Sequence, residues 1–345
     1  MSARMPGHIP EARWLNPRRR YAVHDAQGGY VLGMTTGPVA IVAGGSRGLG
    51  LLIARELGRR GFTPVLWARD AAELDRAVVA LADDGITAAG MVCDVRDHAL
   101  VEEQVARVED ELGPIEVAVH VAGVIQVGPL DSLTRQHFEE AIDTMQWGPI
   151  NLALAVVPGM RARGRGRIGT IASIGGLVSV PHLLPYSTAK FGAVGFSNGL
   201  RAELAGTGVT ATTVAPGLMR TGSHLRAEFT GDQPAEYAWF APGASLPLVS
   251  MDAERAAARI VRGILRGRSV VILTPLAKVG ARVEGVAPAT TAAAMSVLAR
   301  LLPDGPGRPT QTVEGRTARR RLGSELVERL TVWGNRAAAR NNEAS

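Results

Sequence analysis

Lysine is almost missing from this chain. Of 38 basic residues only Lys190 and Lys278 are lysine, and the rest are arginine. A lysine that stands against such a bias is a poor candidate for an indifferent surface cation. Cysteine occurs once, at Cys93. That excludes an internal disulfide framework and fits a reducing, cytoplasmic setting. Aromatic residues make up 4% of the chain, so any cluster of them is conspicuous. No uninterrupted apolar run reaches the roughly 18 residues of a membrane span. The first residues carry charges and prolines without an apolar centre, which is unlike a secretory signal.

What remains is the composition of a globular protein: 345 residues, 46% hydrophobic and 20% charged, enough for one large or two small domains. The formal net charge is +6, which admits nucleic acid, a membrane surface or a phosphorylated ligand as partner. Part of the excess is local, in Arg18, Arg19 and Arg20, in Arg161, Arg163, Arg165 and Arg167, and in Arg319, Arg320 and Arg321. The second group lacks interleaved aromatics and directly precedes an apolar strand. It reads as a solvated loop, and no nucleic-acid partner is expected.

Residues 1–33 carry Pro6, Pro10 and Pro17 and show no sustained period, so a loosely ordered extension is expected. Met34 directly precedes the first strand and offers an alternative start of translation. Pro38–Ala43 is a short apolar run of the kind buried in parallel sheets. Gly44-Gly-Ser46-Arg47-Gly48-Leu49-Gly50 follows, and then a helix over 51–61 that ends at glycine. Strand, glycine loop and helix together hold a dinucleotide. The glycines let the backbone approach the pyrophosphate, and the helix N-terminus offers N–H groups to the anion.

Thr63–Ala68 reads as the second strand. An arginine at its end suits the 2′-phosphate of NADP, whereas an acid suits the 2′-hydroxyl of NAD. Arg69 stands there, Arg47 in the loop reaches toward the same place, and Asp70 is placed to cap a helix over 71–82. NADP(H) is therefore the expected cofactor. Residues 90–95 form a third strand, with Asp94 and Val95 at the edge that lines the crevice of a doubly wound sheet. Asp94 is assigned to the adenine amine, with capping of a helix over 99–112 as its alternative. Ile115–Gly123 is the fourth strand and turn, where Ala122 and Gly123 would pass close to the nicotinamide ribose and His120 is structural. A helix over 138–160, broken at Gly148-Pro149, follows.

Tyr186 and Lys190 are four apart, so on a helix they share a face. An ammonium beside a phenol pulls its pKa down, and such a phenol exchanges a proton near neutral pH. Ser173 lies thirteen residues before Tyr186, after an apolar strand over 168–172. It can hydrogen-bond the same reacting oxygen. A strand over 208–215 then ends in Pro216-Gly217-Leu-Met-Arg-Thr221, where Thr221 can meet a carboxamide. Residues 222–249 gather Tyr237, Trp239 and Phe240, which suggests an apolar substrate lid. A helix over 252–267 and a strand over 269–274 follow. Residues 280–302 are apolar and alanine-rich. They suit a helix over the substrate side, a dimer contact or a peripheral membrane contact. From Pro303 the chain is polar and Arg-rich and is expected to be largely disordered.

In order and spacing the chain resembles the short-chain dehydrogenase/reductase family over roughly Thr36–Leu273. The motifs are Gly44-x-x-x-Gly48-x-Gly50, Asp94-Val95, Ala122-Gly123, Ser173, Tyr186-x-x-x-Lys190 and Pro216-Gly217-x-x-x-Thr221. The resemblance implies an α/β fold: one Rossmann-like, doubly wound parallel sheet of about seven strands with helices on both faces, usually dimeric or tetrameric. It implies that Tyr186 donates or accepts the proton, that Lys190 holds the nicotinamide ribose and lowers the tyrosine pKa, and that Ser173 orients the carbonyl or hydroxyl. An arginine placed as Arg69 goes with NADP in the family. Two departures stand out. The usual Asn-Asn-Ala-Gly reads His120-Val121-Ala122-Gly123, and the helix asparagine that holds a relay water aligns with Met145. A thioether cannot replace that amide's hydrogen bonds. The function expected is an NADP(H)-dependent oxidoreductase interconverting an alcohol and a ketone or aldehyde on an apolar small molecule. An NADP-binding sensor or scaffold, or a same-fold epimerase or dehydratase, are the alternatives.

Overall fold

The computed structural model describes residues 23–24, 30–31, 37–247 and 250–343. Within the N-terminal extension Val23–His24 and Tyr30–Val31 pair antiparallel. The rest of that extension, Met34 included, lies outside the described residues.

Seven strands form the central sheet: β1 (Val39–Ala43), β2 (Thr63–Ala68), β3 (Ala89–Val92), β4 (Ile115–His120), β5 (Gly166–Ile171), β6 (Val209–Ala215) and β7 (Val270–Ile272). Their spatial order is β3-β2-β1-β4-β5-β6-β7, and every neighbouring pair is parallel. The order reverses between β1 and β4. At that switch the connections leave to opposite faces and open a crevice beyond the carboxyl ends of the strands.

Helices cover both faces, and β1 shows why its run has no polar alternation. Ala40 and Val42 enter one core, with α1 (Gly48–Gly58), α2 (Ala71–Asp83) and α8 (Ala253–Leu265). Val39, Ile41 and Ala43 enter the other, with α3 (His98–Leu112) and α5 (Gly148–Ala162). Each buried Val or Ile of this kind contributes about 1.5–3 kcal/mol. Asp70 caps α2 as expected, its side chain accepting from Glu73 N at 2.9 Å. Asp97, not Asp94, caps α3.

The helix expected over 138–160 begins earlier, as α4 (Arg135–Ile142), and its irregularity precedes Gly148-Pro149. Residues Asp143–Trp147 form a π turn, and Pro149 lies in the first turn of α5. Pro149 has no N–H to offer the carbonyl of Met145 four residues back, so the helix widens there.

The largest difference from expectation lies beyond β7. The apolar stretch forms α9 (Pro275–Val286) and α10 (Pro288–Ala299), divided at Pro288. Leu276, Val286 and Leu301 on this hairpin are exposed. Residues 303–343, expected to be disordered, fold. Val313–Glu314 adds to Glu228–Phe229, which in turn pairs with Gln126–Val127. Then come α11 (Gly315–Leu322) and α12 (Glu325–Arg340). The arginines of the tail expected to be disordered tie these helices down. Arg319 forks onto Glu328 with two 2.5 Å hydrogen bonds, and Arg321 donates to Gln233 on α7 (Gln233–Gly243).

The aromatics of 222–249 serve this packing, which corrects their reading as a lid over substrate. Phe229 and Tyr237 are wholly buried and cluster with Phe240, Val127 and Ala318. Buried Glu236 accepts from Trp239 Nε1 at 2.6 Å and pairs with His182 Nδ1 at 2.8 Å. Among the described residues no helix is long and apolar enough to cross a membrane.

Candidate active site

The turn after β1 is shaped by backbone contacts. Gly44 and Gly45 N–H groups both donate to Trp67 O, and Val121 and Ala122 N–H groups donate to Ala43 O. Gly44 has φ +84°, and a Cβ there would lie 2.5 Å from Ala122 N. Only glycine fits a left-handed position with backbone that close. The loop then feeds α1, whose N-terminus faces the crevice.

A cavity of about 660 Å³ runs from this loop to the β5–α6 side, where α6 spans Leu184–Glu203. It gathers nearly every residue the sequence nominated. At one end stand Arg69 and Asp94 with Val95. In the middle are Gly44, Ser46, Arg47, Leu49 and Gly50, facing Ala122 and Gly123. On the β5–α6 side are Ser173, Tyr186 and Lys190, and Pro216, Gly217 and Thr221 after β6 line it too. Gly48 is the nominated residue that does not line it.

The four-residue spacing works as argued, because Tyr186 and Lys190 lie on one face of α6. Lys190 is buried and donates to Ile171 O at 2.7 Å, and its Nζ lies 5.7 Å from the Tyr186 ring centre. Burial pushes its pKa down to about 7. Tyr186 moves opposite to expectation. Burial raises its pKa, with the Ser173 hydrogen bond opposing. An ammonium that is itself on the point of losing its charge gives little pull on the phenol. Ser173 stands two residues past the end of β5, and its Oγ accepts from Gly175 N at 3.0 Å.

The position aligned with the relay asparagine holds Met145, 1% exposed and packed with Ala141 and Ala189. The π turn is present without an asparagine. His120 is fully buried, and burial together with the Lys190 charge pushes it down to about 3. It is a neutral structural group, as the sequence suggested.

Beside Arg69 in the cavity, Asp94 is held by Arg96 through three side-chain hydrogen bonds of 2.6–3.0 Å. Burial works against ionisation, but these bonds keep its pKa below the usual value. Sequence reasoning missed the centre of this region, Glu73. It is 6% exposed, accepts from Arg47 at 2.9 Å and from Arg226 at 2.8 Å, and also receives Ser46 Oγ. Its place in the first turn of α2, three residues after Asp70, was the available signal.

The short chain dehydrogenase family model matches residues 38–229. The chain belongs to that family. It is similar to an acetoacetyl-CoA reductase of Paracoccus denitrificans, 37% identical over 183 residues that are 53% of this chain and 74% of that one. Among solved structures it is similar to a variant actinorhodin polyketide ketoreductase with NADPH. That likeness has a TM-score of 0.62 and 30% identity and covers 70% of this chain and 97% of that one. It is also similar to a short-chain dehydrogenase from Streptomyces avermitilis, with TM-score 0.64, 28% identity and coverage of 76% and 98%. The stretch that the family model matches thus includes the glycine loop, Ser173, Tyr186 and Lys190, and its last residue, Phe229, sits in the apolar cluster with α7 and α11.

Proposed function

We propose that this short chain dehydrogenase is an NADP(H)-dependent ketoreductase that interconverts a ketone, or an aldehyde, and its alcohol. The observation that carries this reading is the convergence of Ser173, Tyr186 and Lys190 on the cavity that the glycine loop opens. The cavity suits the cofactor. Gly44 lines it in the left-handed conformation the loop needs, Arg69 lines it beside Asp94, and Asp70, which lines it too, caps α2 with one carboxylate oxygen. When bound, the nicotinamide gives or takes the hydride at its C4.

The chain's own work is then proton transfer and orientation. Tyr186 Oη gives a proton to the carbonyl oxygen as that oxygen gains charge, or takes it back in oxidation. Ser173 Oγ donates a hydrogen bond to the same oxygen and fixes its direction. Lys190, between Ile171 O and the Tyr186 ring, would hold the ribose hydroxyls. Ketoacyl compounds are the substrate class to try first, because the relatives named above act on ketoacyl and polyketide carbonyls by their names. Tyr237, Trp239 and Phe240, which suggested an apolar substrate, do not line the cavity and give no argument for one.

Titration with NADPH and with NADH, followed by energy transfer from tryptophan, tests the cofactor. Trp67 lines the cavity. NADPH is expected to bind at least about tenfold tighter than NADH, the worth of one charge-assisted contact. Tyr186→Phe is expected to lower turnover of an acetoacetyl thioester by about 10²–10⁴-fold at similar cofactor affinity. Full activity in that variant rules out Tyr186 as the acid.

A further inference from the structure

Residues 303–343 lie outside the stretch that the family model matches, yet they finish against the glycine loop inside it. Asn341 O accepts the Gly48 N–H at 2.8 Å. Asn342 Nδ2 donates to Ser46 O at 2.9 Å and to Glu73 O at 3.2 Å. Asn341 Nδ2 reaches Thr221 O at 3.3 Å, across the crevice. Asn342 has φ +58°, a left-handed turn that redirects the chain from α12 onto the loop. Glu343 follows and is 5% exposed. Its carboxylate lies against Gly48, in the place a Cβ would take, and 3.7 Å from Arg47 Nε. Arg316 of α11 holds its carbonyl at 3.0 Å. These contacts explain why Gly48 does not line the cavity.

An N–H at a helix N-terminus, with an arginine beside it, is the arrangement that receives a diphosphate. Here a carbonyl takes that N–H, and a carboxylate sits beside that arginine. One donor cannot serve both acceptors; burial raises the Glu343 carboxyl to about 7, and its ionised fraction repels a second anion at this depth. We propose that Asn341–Glu343 is a displaceable strap that occupies the diphosphate end of the crevice, so that NADP(H) enters only as the strap leaves. This rests on the nucleotide reading above. It makes the cofactor-free protein self-closed, and it makes cofactor affinity a property of the extension as well as of the loop.

Three proteins test it: the full chain, a deletion of 341–345, and the full-length Glu343→Gln, which keeps the fold if the deletion disturbs α12. NADPH binding is read by tryptophan energy transfer. Hydrogen exchange is read on the segment containing Gly48 and on that containing Asn341. The deletion is expected to bind NADPH about tenfold tighter and Glu343→Gln a few-fold tighter. Without cofactor, the Gly48 amide should exchange faster in the deletion. In the full chain, NADPH should speed exchange at 337–343. Equal NADPH affinity in all three proteins overturns the strap alone. Weaker binding by the deletion, or slower exchange at 337–343 with NADPH, also overturns it, because the segment is then a clamp. Binding of neither NADPH nor NADH by any of the three overturns the nucleotide reading.

Discussion

Replacing Lys190 by methionine should make the cofactor-free protein more stable while removing its activity. The side chain is 4% exposed, and burial lowers its pKa from 10.5 to about 7. For a base with a depressed folded pKa, the folded state binds fewer protons than the unfolded state between those two values. Stability therefore rises with pH across that window, and the full cost of the charge is carried below about pH 7. At about 1.4 kcal/mol per tenfold the cost is ~5 kcal/mol as an upper figure. Against it stands the hydrogen bond to Ile171 O, 2.7 Å long and worth roughly 1.5–3 kcal/mol to a charged donor. Methionine has a similar length and no charge, and fits a site beside Met145 and Gly123. The net expectation is a gain of about 2 kcal/mol near pH 6, shrinking toward zero or below near pH 10. The assay is paired urea unfolding of parent and Lys190→Met at the two pH values, with turnover measured beside it. Comparing the two proteins cancels the titration of groups that do not feel Lys190; His120, which does, titrates far below both pH values. A variant no more stable than the parent at the lower pH, or a difference that does not shrink as pH rises, refutes the reasoning.

Two further outcomes follow from close packing. Gly44→Ala places a Cβ 2.5 Å from Ala122 N at φ +84°, so a loss of at least about 1–2 kcal/mol in unfolding free energy is expected, together with weakened nucleotide binding. An unchanged melting temperature counts against the loop geometry. Met145→Asn empties part of the cluster with Ala141 and Ala189 and buries an amide there, which should cost about 2–4 kcal/mol in a denaturant titration. Tolerance of asparagine there without loss means that the site already offers the amide partners.

The parts of this molecule that local chemistry decides could be read from its residues. Thr63–Ala68 is a strand because an apolar run is bounded by a glycine before and a charged pair after. Asp70 caps α2 because its oxygen reaches Glu73 N, a contact within three residues. Tyr186 and Lys190 meet their cavity because helical spacing puts them on one face. The misread parts depend on distant partners. The Arg-rich tail looked like a solvated chain because Arg319 and Arg321 find their partners on Glu328 and Gln233, and only packing against Tyr237 and Phe229 makes α11 and α12 worth forming. The aromatic loop misled for the same reason: its apolar faces were matched to a substrate when their partner was the extension. The Tyr186 pKa was misjudged because a charge was counted without its burial. Glu73 was passed over because a carboxylate in a first helical turn is ordinary until Arg47 and Arg226 arrive from two other segments.

The contact between Ser46 and Asn342 joins residues 296 apart. A pairing of such sequence separation is among the last to form, because the entropy of closing the intervening chain is lost before the contact returns anything. During synthesis the sheet, both of its cores and the Ser173–Tyr186–Lys190 corner are complete in sequence while residues 303–343 are still unmade. Over that interval the glycine loop is bare and the Phe229–Tyr237–Phe240 surface lacks Ala318 and Leu322 beside it. The growing chain thus passes through a species with a bare glycine loop and an uncovered aromatic face, and α11, α12 and the residues after them cover both as they emerge.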